Sequence, residues 1–291
     1  MRSIQFLRHQ APVCVRFSRV VLVCVLPFVG YAQQLPTAPQ PQCGLATPGR
    51  CAAQLTRDEK GIFASPLHLR KKDLMWLAPV AAATGAAFAF DRTALQHVST
   101  DSSRVNNFRM ASNITGIYAP VAGAATALLA GTIRHDEHLR ETGALAMESM
   151  IDTQLLTTFI KFGTDRARPT ATGLTSTSGS FWPNGQHSSA ADSFPSGHAA
   201  NAFAVAHVIA DEYPGWKVKL AVYSLAAATG FERVAGREHF PSDVLVGGAV
   251  GYLVGGYVFN HHSSRSKTHI SFAPMIGHGG AGVSMQIARP N

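Results

Sequence analysis

Four apolar runs constrain this chain more than any other feature: residues 74–90, 114–133, 220–231 and 244–259, all dominated by Ala, Gly, Leu and Val. They are too long for buried strands, and their small side chains allow backbones to pack closely, so they read as helices packed on one another. Pro79 and Pro120 interrupt two of the runs, which bends or restarts a helix rather than abolishing it. A fifth stretch, residues 139–162, is apolar on one face and carries Glu148 and Asp152, the pattern of an amphipathic helix in a bundle. The fold class that follows is all-α, a helical bundle.

The N-terminus addresses the chain rather than building it. Arg2, Arg8, Arg16 and Arg19 flank the short apolar run 20–29, and Gly30-Tyr31-Ala32 supplies small residues for cleavage. That is a secretory signal peptide over residues 1–32, an uncleaved anchor being the alternative. Those residues hold four arginines and no acid, so their removal lowers the formal net charge from +8 to +4. Much of the basicity is therefore targeting signal, and no nucleic-acid partner is expected. Residues 33–55 are rich in Gln, Pro, Thr and Ala and read as a flexible leader, within which Cys43 and Cys51 can close a small disulfide loop. The folded domain is expected over 56–262. In 263–291, alternation at 269–273 and 283–287 around a Gly-rich turn predicts a small C-terminal β-hairpin. Only residues 114–133 reach a clear membrane span, and the basic cluster Arg70-Lys71-Lys72 would lie on the exported side. The balance favours a bundle that is periplasmic or attached to the membrane.

The chemistry gathers around residues 193–201. Pro195 fixes the chain before a helix start, Ser196 can cap it, and Gly197 lets backbone amides approach a ligand. With His198 in the first turn, this is an anion site beside a proton donor; the alternative is an ordinary helix start bearing a surface histidine. Upstream, Lys161 and Arg168 stand seven residues apart, where a helix ends before Pro169. Downstream come Arg233, His239 and Asp243, with Pro241 suited to the first position of a further helix. From there Asp243 can reach back to an imidazole nitrogen of His239 and fix its tautomer, leaving the other nitrogen free to attack. A metal pair is the alternative, without an evident third ligand. Arg166 and Arg237 read as solvated, or as paired with Asp165 and Glu238. Trp182 either lines an entrance or anchors its loop, and His261-His262 reads as a tail without a role.

Taken in order, Lys-x6-Arg-Pro, Pro-Ser-Gly-His and Arg-x5-His-x3-Asp resemble the type 2 phosphatidic acid phosphatase (PAP2) superfamily, which also includes bacterial acid phosphatases and vanadium haloperoxidases. The likeness is detailed from Lys161 to about Gly255. It implies that Lys161, Arg168 and Arg233 hold phosphoryl oxygens with Ser196 and the Gly197 amide. It further implies that His239 attacks phosphorus, that Asp243 orients it and that His198 protonates the leaving oxygen, with no metal or other cofactor. The implied partner is a phosphorylated lipid or a small-molecule phosphate ester, with membrane association in the first case. Competing readings are a soluble periplasmic broad-specificity acid phosphatase, a vanadate-dependent haloperoxidase and a non-catalytic envelope binding protein. The last is raised by Glu232, which stands where the family usually has serine and puts a negative charge beside the expected phosphate.

Overall fold

Capping residues set where the helices begin in the computed structural model, which describes residues 48–65, 71–171, 173, 179–181 and 193–266 and the strands at 269–277 and 280–288. The elements are α1 (Pro48–Ala64), α2 (Lys71–Gln96), α3 (Ser102–Asn113), a π-helical turn (Ile114–Tyr118), α4 (Ala119–Arg134), α5 (Glu137–Thr164), α6 (Gly197–Glu212), α7 (Trp216–Ala235) and α8 (Pro241–His262). The carboxylates of Asp101 and Asp136 accept from the amides of Arg104 and Leu139 and so start α3 and α5. Left-handed residues end α4 at His135 and α5 at Asp165, with φ of 55° and 39°. The backbone of β1 (His269–Gly277) pairs antiparallel with that of β2 (Gly280–Ala288).

The all-α class is confirmed by this arrangement. α1 begins at Pro48, inside the stretch read as leader. Proline is favoured in a helix's first turn, and Ile62, further along the same helix and within the expected domain, is buried in the main core. The expected signal peptide, Cys43 and Trp182 lie outside the described residues.

α6 forms the centre. Ala199, Ala200, Ala204, Ala206 and Ala210 are buried along it. Its neighbour α8 crosses it over a stripe of glycines. A Cβ on Gly247, Gly251 or Gly255 would come within 2.4, 1.9 and 2.5 Å of the carbonyl oxygens of Ser196, Ala200 and Ala204. The two backbones therefore touch, which fixes the start of α6 against the start of α8, and the Ser196 amide donates to the Asp243 carbonyl at 3.0 Å. Around this pair, Leu145, Met150, Val205, Val208, Val254 and Val258 fill the core.

The outer surface is unusually apolar. Ile133 is 77% exposed and Trp216 71%, and Phe90, Phe159, Phe231 and Leu253 are also exposed. Among the described residues two helical runs are long and apolar enough to cross a membrane: Ser102–Arg134, continuous through the π-turn, and Pro241–His262. The first is longer than its sequence run because Asp101, not Ile114, caps it.

Candidate active site

Helix ends converge on one cavity of about 450 Å³, lined by Lys161 at the end of α5, Arg168 just after it, Gly197, His198 and Asn201 at the start of α6, and His239 before α8. Ile117, Val121, Met147, Met150 and Ile151 also line it. Polar and apolar side chains thus share one space.

Ser196 occupies the N-cap position of α6, but its hydroxyl caps nothing. Its Oγ is buried without a partner among the described residues, as are Nε of Arg168 and Nε of Arg233. Buried polar atoms are nearly always bonded. Three donors left over at one helix N-terminus, beside the first amides of α6, form a receptor for an anion.

His239 is almost fully buried. Its Nδ1 lies 2.6 Å from the carbonyl oxygen of Ser193. A carbonyl only accepts, so Nδ1 carries the hydrogen and Nε2 keeps its lone pair. Asp243 approaches the same Nδ1 only to 3.6 Å, so the expected direct bond is replaced by an indirect one. The Asp243 carboxylate accepts from Ser193 Oγ at 2.5 Å and from the Phe240 amide at 2.8 Å. Ser193, pinned by its amide to the Arg166 carbonyl at 2.7 Å, then presents its own carbonyl to the imidazole. The carboxylate reaches the histidine through a serine because, as an early residue of α8, it is taken up in capping that helix.

Burial, then the positive charges of Arg233, Lys161 and Arg168, hold His239 well below the ordinary histidine range. The same causes in the same order push His198 down to about 3. Both imidazoles are therefore neutral in the empty cavity. His198 Nε2 bonds Asn113 Oδ1 at 2.9 Å, which fixes the ring. Gly116 in the π-turn packs on that ring, since a Cβ there would fall 2.9 Å from the His198 Cβ.

Two arginines read as surface groups are buried. Arg166, 4% exposed, donates to Asp243 Oδ1 at 2.5 Å, to Ser242 Oγ at 2.7 Å and to Asp91 Oδ2 at 2.7 Å, and lies 4.1 Å over the Phe240 ring. Its partners come from α2 and α8 rather than from the adjacent Asp165. Arg237 donates to the carbonyls of Leu95 and Val98 at 2.9 and 3.0 Å and so ties the loop before His239 to the end of α2. The acid beside the clamp is Glu238, not Glu232. Glu238 pairs with Arg168, with Arg233 at 3.3 Å and with Arg109 at 2.7 Å. Glu232 turns away to accept from Thr115 Oγ1 at 2.6 Å, one helical step off the pocket side of α7.

Asp91, Arg109 and Asn113 belong to this site, and none was marked by the sequence motifs. The one available signal was Asp91 itself, a lone acid closing the apolar run 74–90.

Residues 143–267 match the family model described as the PAP2 superfamily. Over 89 residues the chain is 46% identical to the lipid A 1-phosphatase of Porphyromonas gingivalis, a match covering 28% of this chain and 20% of that protein, so the chain spans about a fifth of the curated relative's length. Among solved structures, Aquifex aeolicus LpxE is 22% identical with 54% of this chain and 86% of the other covered, at a TM-score of 0.38. The first transmembrane PAP2 type phosphatidylglycerolphosphate phosphatase from Bacillus subtilis is 20% identical with 71% and 92% covered, at a TM-score of 0.43.

Proposed function

From the match of residues 143–267 to the PAP2 superfamily model, we propose that this chain is a phosphatase that removes a phosphate group from a lipid, through a phosphohistidine. The observation that carries the reading is the cavity's mixed lining. Lys161, Arg168, His198 and His239 share it with Ile117, Val121, Met147, Met150 and Ile151. A phosphate with an attached hydrocarbon meets both kinds of lining; a small hydrophilic ester meets only one.

In this mechanism the Nε2 lone pair of His239 forms a bond to phosphorus while the bond to the leaving oxygen breaks. His198 supplies the proton that oxygen needs, then takes one from the water that hydrolyses the phosphohistidine. Phosphoryl transfer demands positioning and charge stabilisation, which Lys161, Arg168, Arg233 and the α6 amides supply without a metal. Burial first, and then three surrounding cations, keep His198 neutral. A phosphate arriving with its negative charge offsets those cations, so the proton enters with the substrate rather than waiting on the enzyme. Asp243, Ser193 and Arg166 position His239.

The catalytic unit runs from α1 to His262, behind an export signal over residues 1–32. The exposed apolar surface associates with the membrane, and the pocket faces the exported side. The test is phosphate release from phosphatidate and from a lipid A-type phosphate, each in mixed micelles containing EDTA, compared with p-nitrophenyl phosphate. Release is expected from a lipid, persisting in EDTA and lost in His239→Ala. Full activity of that variant overturns the mechanism, and a preference for the soluble ester overturns the lipid assignment.

A further inference from the structure

A second set of unpartnered polar atoms, opposite in sign, lies where α1, α5 and α8 meet. Asp58 Oδ1 and His262 Nε2 are 2.9 Å apart, and Gln54 Nε2 donates to Glu148 Oε1 at 2.6 Å and lies 2.9 Å from His262 Nδ1. One ligand atom from each of Asp58, Glu148 and His262 falls within 4.8 Å of the others. Asp58 Oδ2, both carboxylate oxygens of Glu59 and both of Asp152 are buried without a donor among the described residues. Asp152 is 0% exposed and Asp58 3%. His262, read from sequence as part of a tail, is thus an inward-facing member of this cluster.

Burying several carboxylates together is unfavourable unless a counter-charge or protons accompany them. Among the described residues no lysine or arginine forms an ion pair with Asp58, Glu59, Glu148 or Asp152, although ion pairs are plentiful elsewhere. We propose that this cluster is a structural site for a divalent cation, ligated by Asp58, Glu148 and His262, with Asp152 and Glu59 contributing further negative charge. One imidazole with carboxylate oxygens is a donor set for zinc or a neighbouring first-row ion rather than for magnesium or calcium. A tetrahedral ion bonded at about 2.0–2.2 Å to each would hold two ligand atoms about 3.4 Å apart, so binding would open the 2.9 Å His262–Asp58 contact by about half an ångström.

Such an ion ties α1, which follows the leader, to the middle of α5 and the end of α8. Glu148 stands about 20 Å from Lys161 along α5 at 1.5 Å per residue, so the cluster is distant from the phosphate-binding cations, although its neighbour Met147 lines the apolar part of the same cavity. The site therefore supports the fold and takes no part in phosphoryl transfer.

The test uses the full chain in detergent, stripped with EDTA, freed of chelator and titrated with Zn²⁺, Mn²⁺ or Ca²⁺ while bound metal and the thermal midpoint are measured. One Zn²⁺ per chain and a rise of several degrees in the midpoint are expected, with Mn²⁺ weaker and Ca²⁺ weakest. His239→Ala, which alters the other buried histidine site, should keep both effects. Glu148→Gln, isosteric and relieving buried charge, should melt cooperatively without metal yet lose both; Asp58→Asn with His262→Ala should do the same. Absence of bound Zn²⁺ in the stripped and reloaded wild-type chain overturns the proposal, as does undiminished stoichiometry in Glu148→Gln or in the double variant. These readouts do not depend on hydrolysis, so they stand or fall separately from the phosphatase reading.

Discussion

The two ends of α8 solve opposite electrostatic problems. At its start, Asp243 belongs to a pocket where donors on Ser196, Arg168 and Arg233 lack acceptors. At its end, His262 belongs to a cluster where acceptors on Asp58, Glu59 and Asp152 lack donors. The pocket opens into a cavity with an apolar wall, so its missing partner can come and go. The acidic cluster lies between packed helices, which suits a partner that stays. Unsatisfied buried groups mark function in both places, and accessibility distinguishes a turnover site from a structural one.

The largest effect expected concerns the pocket's support. Arg166→Met leaves Asp91 and Asp243 buried without their cation, and should cost about 3–5 kcal/mol of stability, read by chemical denaturation in detergent. A stable variant would mean that the buried network matters less than the open clamp. Next, Arg233→Ala should lower kcat/KM by about 10²–10³-fold, the scale of losing one oxyanion donor, with a smaller loss of stability than Arg166→Met because Glu238 keeps Arg168 and Arg109 as partners. An equal loss of stability would erase the contrast between a clamp left open and a network already satisfied.

Asn113→Ala should lower kcat about tenfold, within the range that general acid catalysis contributes, leave KM nearly unchanged and shift the pH profile. It frees the His198 ring without touching the phosphate donors, so a pure KM effect would contradict the placement. For pH, the neutral state of His198 below physiological pH means that catalysis needs a proton carried by substrate. kcat/KM should therefore fall as pH rises through the second phosphate ionisation at about 6. Stability runs the other way. The folded His198 titrates at about 3 and the unfolded one near 6.5, so the unfolded chain binds more protons between these values and stability declines as pH falls through that window. His198→Asn should flatten the decline. The smallest effect belongs to the acidic end: Asp152→Asn should raise the metal-free thermal midpoint modestly by relieving buried charge, whereas Ser196→Ala should leave it unmoved.

The helices and the three segments around Lys161, His198 and His239 were legible because each is local. Small-residue runs declare close packing, and Pro-Ser-Gly-His declares a helix start within four residues. What stayed hidden depends on tertiary proximity. Arg166 sits one residue from Asp165 in sequence, and local spacing favoured that pairing. The fold instead brings it Asp91 from 75 positions before and Asp243 from 77 after. From sequence Glu232 stood beside the expected phosphate and Glu238 beside Arg237, but α7 turns Glu232 toward Thr115 and its end brings Glu238 to Arg168, Arg233 and Arg109. His262 and Asp58 meet across 204 positions, a separation that no periodicity in the sequence can signal.

The π-helical turn at Ile114–Tyr118 carries a consequence for how such chains diversify. It joins α3, which ends in Asn113, to α4, which supplies Val121 to the cavity wall. A π-turn holds one more residue than the α-turn it replaces, so deleting one residue inside it restores ordinary α geometry with both flanks in place, whereas the same deletion elsewhere in the helix would rotate one flank by about 100° against the other. Asn113 would stay on His198 and Val121 would stay on the cavity wall. The turn is therefore the one stretch of this helix where the chain can lose a residue while the wall that meets the hydrocarbon and the groups around His198 both keep their places.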